Sequence, residues 1–468
     1  MSRPESDDAP VLHISKRRKD LTHGGIAGHL VRMSIPMVWG ILAIISFQLV
    51  DLYFISKLGH DALTAVSFTL PVTMFIHYVL IGLSIGMSSV VSRLLGQGHH
   101  DTVARVTTHG LCFTVLFGIA LAGLGIAVLD PLFAALGASP AMMPMIRDFM
   151  VPWLAGGVFL SLPMVGNAAL RGSGDTFFPA FVMILAAIIN AALDPLLIFG
   201  LYGFPRLEIA GAAISTIFGN ACAAVAGLVV LYRKGLIAVR PFHADRFGDS
   251  LKRILHVGVP ASVTNMILPI AQGIVTALMA LHGAQAVAAF GIVQRVEALA
   301  FVVLMAVATG MAPIIGQNWG AHKYDRVHTT LNLALGFCVG WSALMAVLLG
   351  AFARPLARAF TDDPATVDLA AQYFWIVPAS FVVGNLVPGW SSAFNAMGMP
   401  KRSFLMIVVR ILALTVPLTV LGNHFGGPLG IFVGLAVANV LSGAGFHVLN
   451  LRACRLREMH EAHSAPLR

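Results

Sequence analysis

Twelve apolar stretches, each of about twenty residues or more, leave this chain little freedom in what it can become. Their approximate limits are 33–56, 68–92, 107–129, 149–170, 178–200, 209–232, 256–281, 288–315, 331–352, 373–394, 404–422 and 428–450. A hydrocarbon core is about 30 Å thick and a helix rises about 1.5 Å per residue, so each run matches one crossing. Inside lipid the backbone must satisfy its own hydrogen bonds, which leaves helices or a closed barrel. No long alternating pattern supports a barrel. The charge content agrees. Of 468 residues, 11% are charged and 57% hydrophobic, whereas soluble domains carry about 25% charged residues. The expected fold class is an all-α integral membrane protein with twelve transmembrane helices.

The net charge of +9 does not signal a nucleic-acid partner, because the basic residues sit in short loops and tails between apolar runs. Their distribution sets orientation instead. If the N-terminus faces the cytoplasm, the cytoplasmic segments hold twenty-three Lys and Arg, against five on the other side. Both termini are therefore expected in the cytoplasm, in a multi-pass protein of the cell's inner membrane. The polar start, with Lys16-Arg17-Arg18-Lys19 well inside it, argues against a cleaved signal peptide. Cys112, Cys222, Cys338 and Cys454 are far apart, so neither a disulfide framework nor a metal cluster is expected.

The chain repeats itself at one fixed offset. Pro36 falls on Pro260, Gly59 on Gly283, Gly86-Met87 on Gly310-Met311, and Gly96 on Gly320. Asp101 then falls on Asp325, Pro131 on Pro355, Pro140 on Pro364, and Gly174 on Gly398. A single offset held without a gap over that distance marks two pseudo-symmetric six-helix bundles. The expected organisation is a tail over 1–32, a bundle over 33–232, a cytoplasmic linker over 233–255, a second bundle over 256–450, and a tail over 451–468. Six is an even number, so both halves enter the membrane from the same side and form a parallel repeat. Rocking of one half on the other, around a site between them, is the expected mechanics.

Ionisable residues within spans cost at least about 2.5–3.5 kcal/mol at a helix centre and so mark function. The acidic cases are Asp51, Asp194 and Glu297. Asp51 and Asp194 lie near the outer ends of spans 1 and 5, roughly 8 to 9 Å below the boundary, and could face one cavity. Asn190 shares a helix face with Asp194, and Pro195 is placed to kink the same helix. The repeat carries Asp51, Asn190 and Asp194 onto Val275, Leu414 and Leu418, so the second half lacks this set. Two poorly solvated carboxylates can carry a proton, or hold Na+ when deprotonated. No other cofactor or metal is expected. Glu297, with Gln294 on its face and Arg295 beside it, is either an internal ion pair or a cavity residue. Asn167, Asn265, Gln272 and Asn385 are polar residues inside spans. For each, bonding between helices is the plainer reading, and lining a cavity the alternative.

Gly82-Leu83-Ser84-Ile85-Gly86 fits a hydrolase nucleophile pattern, but it lies inside an apolar helix rather than at a strand-to-helix turn. Walker, zincin and dinucleotide motifs are absent, so an enzyme is not expected, nor ATP-driven transport by this chain.

Four motifs in order resemble the multidrug and toxic compound extrusion (MATE) family. They are Val50-Asp51-Leu52-Tyr53-Phe54-Ile55-Ser56-Lys57-Leu58-Gly59, Leu170-Arg171-Gly172-Ser173-Gly174-Asp175-Thr176, Gly316-Gln317-Asn318-Trp319-Gly320-Ala321 and Asn395-Ala396-Met397-Gly398-Met399-Pro400-Lys401-Arg402. The stretch Ile189-Asn190-Ala191-Ala192-Leu193-Asp194-Pro195 looks like the signature of its DinF-like branch. The resemblance implies an antiporter that exports small amphipathic or cationic compounds. Protons would couple through Asp51, Asn190 and Asp194, and Asn167 and Thr216 would line the same pocket. Gln272 and Glu297 are carried as candidate cavity residues of the second half. Phe47 stands where relatives often have a polar or tyrosine side chain, which favours H+ over Na+. The alternatives are Na+ coupling at the same residues, or a lipid-linked precursor flippase, for which only Arg295 and Arg410 supply basic charge. Expected partners are a small-molecule substrate and membrane lipids, with the chain acting as a monomer.

Overall fold

The computed structural model describes residues 20–238 and 242–464, with side chains up to Arg452. No strand occurs among the described residues. Spans 1, 2 and 3 are the helices Ile26–Ser56, His60–Gly96 and His100–Ala127. Span 4 is broken into Met143–Ala155 and Gly157–Gly172, bent by 48°. Spans 5 and 6 are Phe177–Phe199 and Glu208–Arg233. Span 5 runs on as helix across Pro195.

The second half repeats this plan. Span 7 is Phe247–Ala280 and span 9 is Tyr324–Ala351. Span 8 pairs Ala284–Ala300 with Val302–Gly320, and span 10 pairs Pro364–Gly384 with Leu386–Met397. The remaining helical stretch, Pro400–Arg452, is 53 residues long. A straight helix of that length would measure about 80 Å, far more than a membrane. It reverses at Gly427, whose φ of 56° and ψ of −138° are not helical. Gly422 and Gly430 then lie backbone against backbone, as do Leu418 and Gly434. Side chains at these glycines would keep the two arms apart. The arms are span 11 (400–426) and span 12 (428–464). Among the described residues, ten helices are long and apolar enough to cross alone, and the bent span 4 makes eleven. The reversal at Gly427 raises the number of crossings to twelve.

Two differences from the sequence reading concern the ends. Span 1 begins at Ile26, ahead of its apolar run, and the last helix continues past residue 450 to Ser464. Beyond residue 450 the added turns are rich in helix formers, which allow a helix to extend beyond lipid. Cys454 lies outside the described side chains. Cys112, Cys222 and Cys338 are free thiols.

The halves meet as a two-fold pair would. Gly86 lies against Gly258, and Gly310 lies against Ser34. The second contact is the first carried through the repeat with the halves exchanged. Gly96 against Gln317 and Gly320 against Arg93 are related in the same way. Ser92 faces Gly316, its own counterpart, so this contact sits on the pseudo-two-fold axis. Such self-complementary contacts define an isologous interface. They lie towards the end where spans 1 and 7 begin, here called the tail end. There Ser89 Oγ also donates to the Asn395 carbonyl of the other half at 2.5 Å. Gln317 Nε2 donates to the Gly172 carbonyl at 3.1 Å. The tail end is closed.

Candidate functional site

The site in the first half begins with two ridges spaced by four residues. On span 5 the ridge is Ala186, Asn190, Asp194 and Ile198, and on span 6 it is Gly211, Ser215 and Gly219. Positions four apart share a helix face, and small residues let helices approach closely. A Cβ on Gly211 would come within 2.7 Å of the Leu197 carbonyl, and one on Gly219 within 2.9 Å of the Ala186 carbonyl. Glycine at both ends of the ridge therefore allows the contact that presses Ser215 between the polar side chains of span 5.

Asp194 is fully buried. The Ser215 hydroxyl donates to its Oδ1. The Asn190 amide is best satisfied with Nδ2 donating to Asp194 Oδ2 at 3.0 Å and its oxygen accepting from the Thr216 hydroxyl at 3.0 Å. One carboxylate thus takes a bond on each oxygen, supplied by two neighbouring helices.

Span 1 brings Asp51 to the same level. Asp51 stands five residues before the helix end at Ser56, and Asp194 five before Phe199. Spans 1 and 5 pack along each other, with Gly40 against the Ala180 backbone. One turn beyond Asp51, Phe54 meets Phe199 edge-on at 6.1 Å between centroids. Ile55, Ala62, Val66, Ile198, Ile209 and Ala212 form an apolar cluster over this end. Asp51 lies within electrostatic reach of Asp194, and its Oδ1 is buried without a hydrogen-bond partner. Among the described residues, no basic side chain pairs with either carboxylate. The arrangement can hold a proton or a small cation, since it offers carboxylate, amide and hydroxyl oxygens with no fixed positive charge.

The other candidates lie elsewhere. Asn167 is buried near Gly227, with its Oδ1 unpartnered, five residues from the tail end of span 4. Asp194 is near the opposite end of the bundle, so the structure does not bring Asn167 to the pair. Gln272 is exposed on span 7. Glu297 points to the Tyr373 hydroxyl in the second half, with its Oε1 unpartnered. Arg295 is exposed and makes no ion pair with Glu297, which removes the internal-pair reading. Ser215 went unnoticed in the sequence. The spacing Gly211, Ser215, Gly219 was the signal, and it reads equally as ordinary packing.

The second half has a polar centre of its own. Arg410 Nη2 donates to Asn439 Oδ1 at 2.9 Å and Nη1 to the Gly384 carbonyl at 3.3 Å. Asn439 Nδ2 donates to Ser380 Oγ at 3.0 Å. Gly384 ends the first segment of span 10, so the guanidinium sits at the negative end of a helix and binds a carbonyl the break releases. Span 11 winds as π-helix over Val409–Thr415 around it.

The MatE family model matches residues 36–196 and again residues 260–421. The chain belongs to the MATE family. The two matches begin at Pro36 and Pro260, a pair that the internal repeat superposes. The FAD transporter of Shewanella oneidensis is 38% identical over 94% of this chain and 97% of its own length. The multidrug export protein MepA of Staphylococcus haemolyticus is 24% identical over 90% of this chain and 93% of its own. Among solved structures, the Vibrio cholerae MATE transporter VcmN in the bent form superposes with a TM-score of 0.88 at 28% identity, covering 93% of this chain and 98% of that one. The protein is a multi-pass MATE transporter of two pseudo-symmetric bundles.

Proposed function

We propose that this MATE protein is an inner-membrane antiporter that exports small organic molecules in exchange for protons. The single observation that carries the coupling is Asp194. It is fully buried, held by Ser215 and Asn190, with the Asp51 carboxylate at its level and, among the described residues, no basic side chain to neutralise either. Such a pair gains or loses a proton at a high electrostatic stake, so its charge can select between packings of the half around it. With the tail end in the cytoplasm, as the Lys and Arg distribution favours, the closed tail end corresponds to the arrangement open to the outside. Protonation from that side would favour substrate release, and deprotonation to the inside would reset the cycle. The signature around Asn190 and Asp194 supports a place in the DinF-like branch.

Export of amphipathic cations draws support from relatives named as multidrug export proteins. A second reading, export of an anionic aromatic dinucleotide, draws on the greater likeness to a relative named as an FAD transporter. Arg295 favours it as well. This arginine is exposed at mid-depth in span 8. Facing lipid there would cost at least about 2.5–3.5 kcal/mol, so a water-filled cleft between the halves suits it better. Reconstituted protein given ethidium or FAD, under an imposed proton or Na+ gradient, separates these readings. Proton-driven transport of either probe that is lost in Asp51→Asn and Asp194→Asn supports the coupling site. Transport that survives both substitutions removes the site, and transport that needs Na+ alone removes the proton and leaves Na+ as the coupling ion.

A further inference from the structure

The segment ahead of span 1 belongs to the first half by chain order and to the second half by contact. Leu21 is 2% exposed and sits in the second half's core with Ile314, Trp319 and Val327. Its N–H donates to Gln317 Oε1 at 3.0 Å. Its carbonyl accepts from Asn318 Nδ2 at 3.1 Å and Arg326 Nη2 at 3.2 Å. Arg326 Nη1 also donates to the Gly24 carbonyl at 2.9 Å, and Lys323 Nζ to the Thr22 carbonyl at 3.0 Å. Asp20 holds the turn by accepting from the Thr22 N–H at 2.7 Å. An apolar anchor and a row of carbonyls held by cations make this a docked strap.

The docking residues are also seam residues. Gln317 binds the strap through Oε1 while its Nε2 reaches Gly172 of the first half. Five residues after Leu21 the chain enters span 1, whose Ser34 lies against Gly310 of span 8. If the tail end opens, span 1 and span 8 part. A strap continuous with one and bound to the other cannot follow both, so it must peel away. We propose that residues 20–25 are a latch: docked on the second half they hold the tail end shut, and they undock each time that end opens.

The test uses the full chain in lipid nanodiscs, with its four cysteines replaced and Ser89→Cys placed in the seam. A water-soluble maleimide reports how often the seam opens, without substrate or ion gradient, so the result stands apart from the proton reading. Leu21→Ser removes the anchor, and Lys323→Gln removes only the milder Thr22 and His23 contacts, which keeps a well-folded variant available. Each is expected to speed labelling, Lys323→Gln less and Leu21→Ser by about three- to fivefold. A control thiol, Val66→Cys in the cluster at the far end, is expected to label at an unchanged rate. Parent rates at Ser89→Cys in both variants would overturn the latch. So would equal acceleration at both thiols, which would mean general loosening.

Discussion

The two halves share a plan and differ in what they bury. In the first, spans 5 and 6 close on a carboxylate lodged between a hydroxyl and an amide, with Asp51 alongside. In the second, Val275 takes the place of Asp51 inside an apolar cluster, and the polar centre is a guanidinium bound to Asn439 and a released carbonyl. A carboxylate changes charge when it takes up a proton, whereas arginine stays charged. On the coupling proposed above, the first half would switch and the second, despite Glu297, would hold its shape. Near-identical frames can carry this division because the frame depends on apolar spans and glycine contacts, not on the polar residues placed among them.

The largest expected effect tests that division directly. Asp194→Asn should lower proton-driven uptake into inverted vesicles by about tenfold or more, while Glu297→Gln should lower it by about threefold or less. Equal losses would break the division of labour. Next comes Arg410→Met, which leaves Asn439 and the Gly384 carbonyl short of a partner in a buried place. It should cost about 1–3 kcal/mol, read as a lower thermal midpoint with transport retained in the surviving protein. Loss of transport with the midpoint kept would give the second half a chemical role. The seam sharpens the likeness instead. Gly96→Ala and Gly320→Ala each press a methyl group on the other half's backbone, and each should cost a similar amount, about 1–3 kcal/mol. A strong effect from one alone would mean that the interface departs from two-fold behaviour under load. The smallest effect belongs to Ser215→Ala, which removes one of the bonds on Asp194 and should lower stability by about 1 kcal/mol.

Much of the fold is legible in the sequence. The twelve crossings follow from apolar length alone, and Asp51 and Asp194 stood out because charges inside such runs are scarce. Other features left weak traces. The breaks at Gly156, Phe301 and Asn385 fall inside apolar runs, where a kink costs little change in composition. Asn167 was expected in the same pocket as the pair, yet the family pattern carries no depth, and five residues from the tail end of span 4 put it at the wrong height. The strap was invisible because Leu21 is one apolar residue in a polar stretch. Its importance comes from Gln317, Asn318 and Arg326, 296 to 305 residues away.

The contact of Ser92 with Gly316 constrains how such a molecule could have arisen. When a duplicated gene still encoded identical halves, the residue at this place met a copy of itself. Two bulky copies would have collided, so the ancestral side chain had to be tiny. Later drift could add atoms to one copy only if the other stayed bare. A hydroxyl on one side and a lone hydrogen on the other fit that history, and a side chain at Gly316 would now strike Ser92.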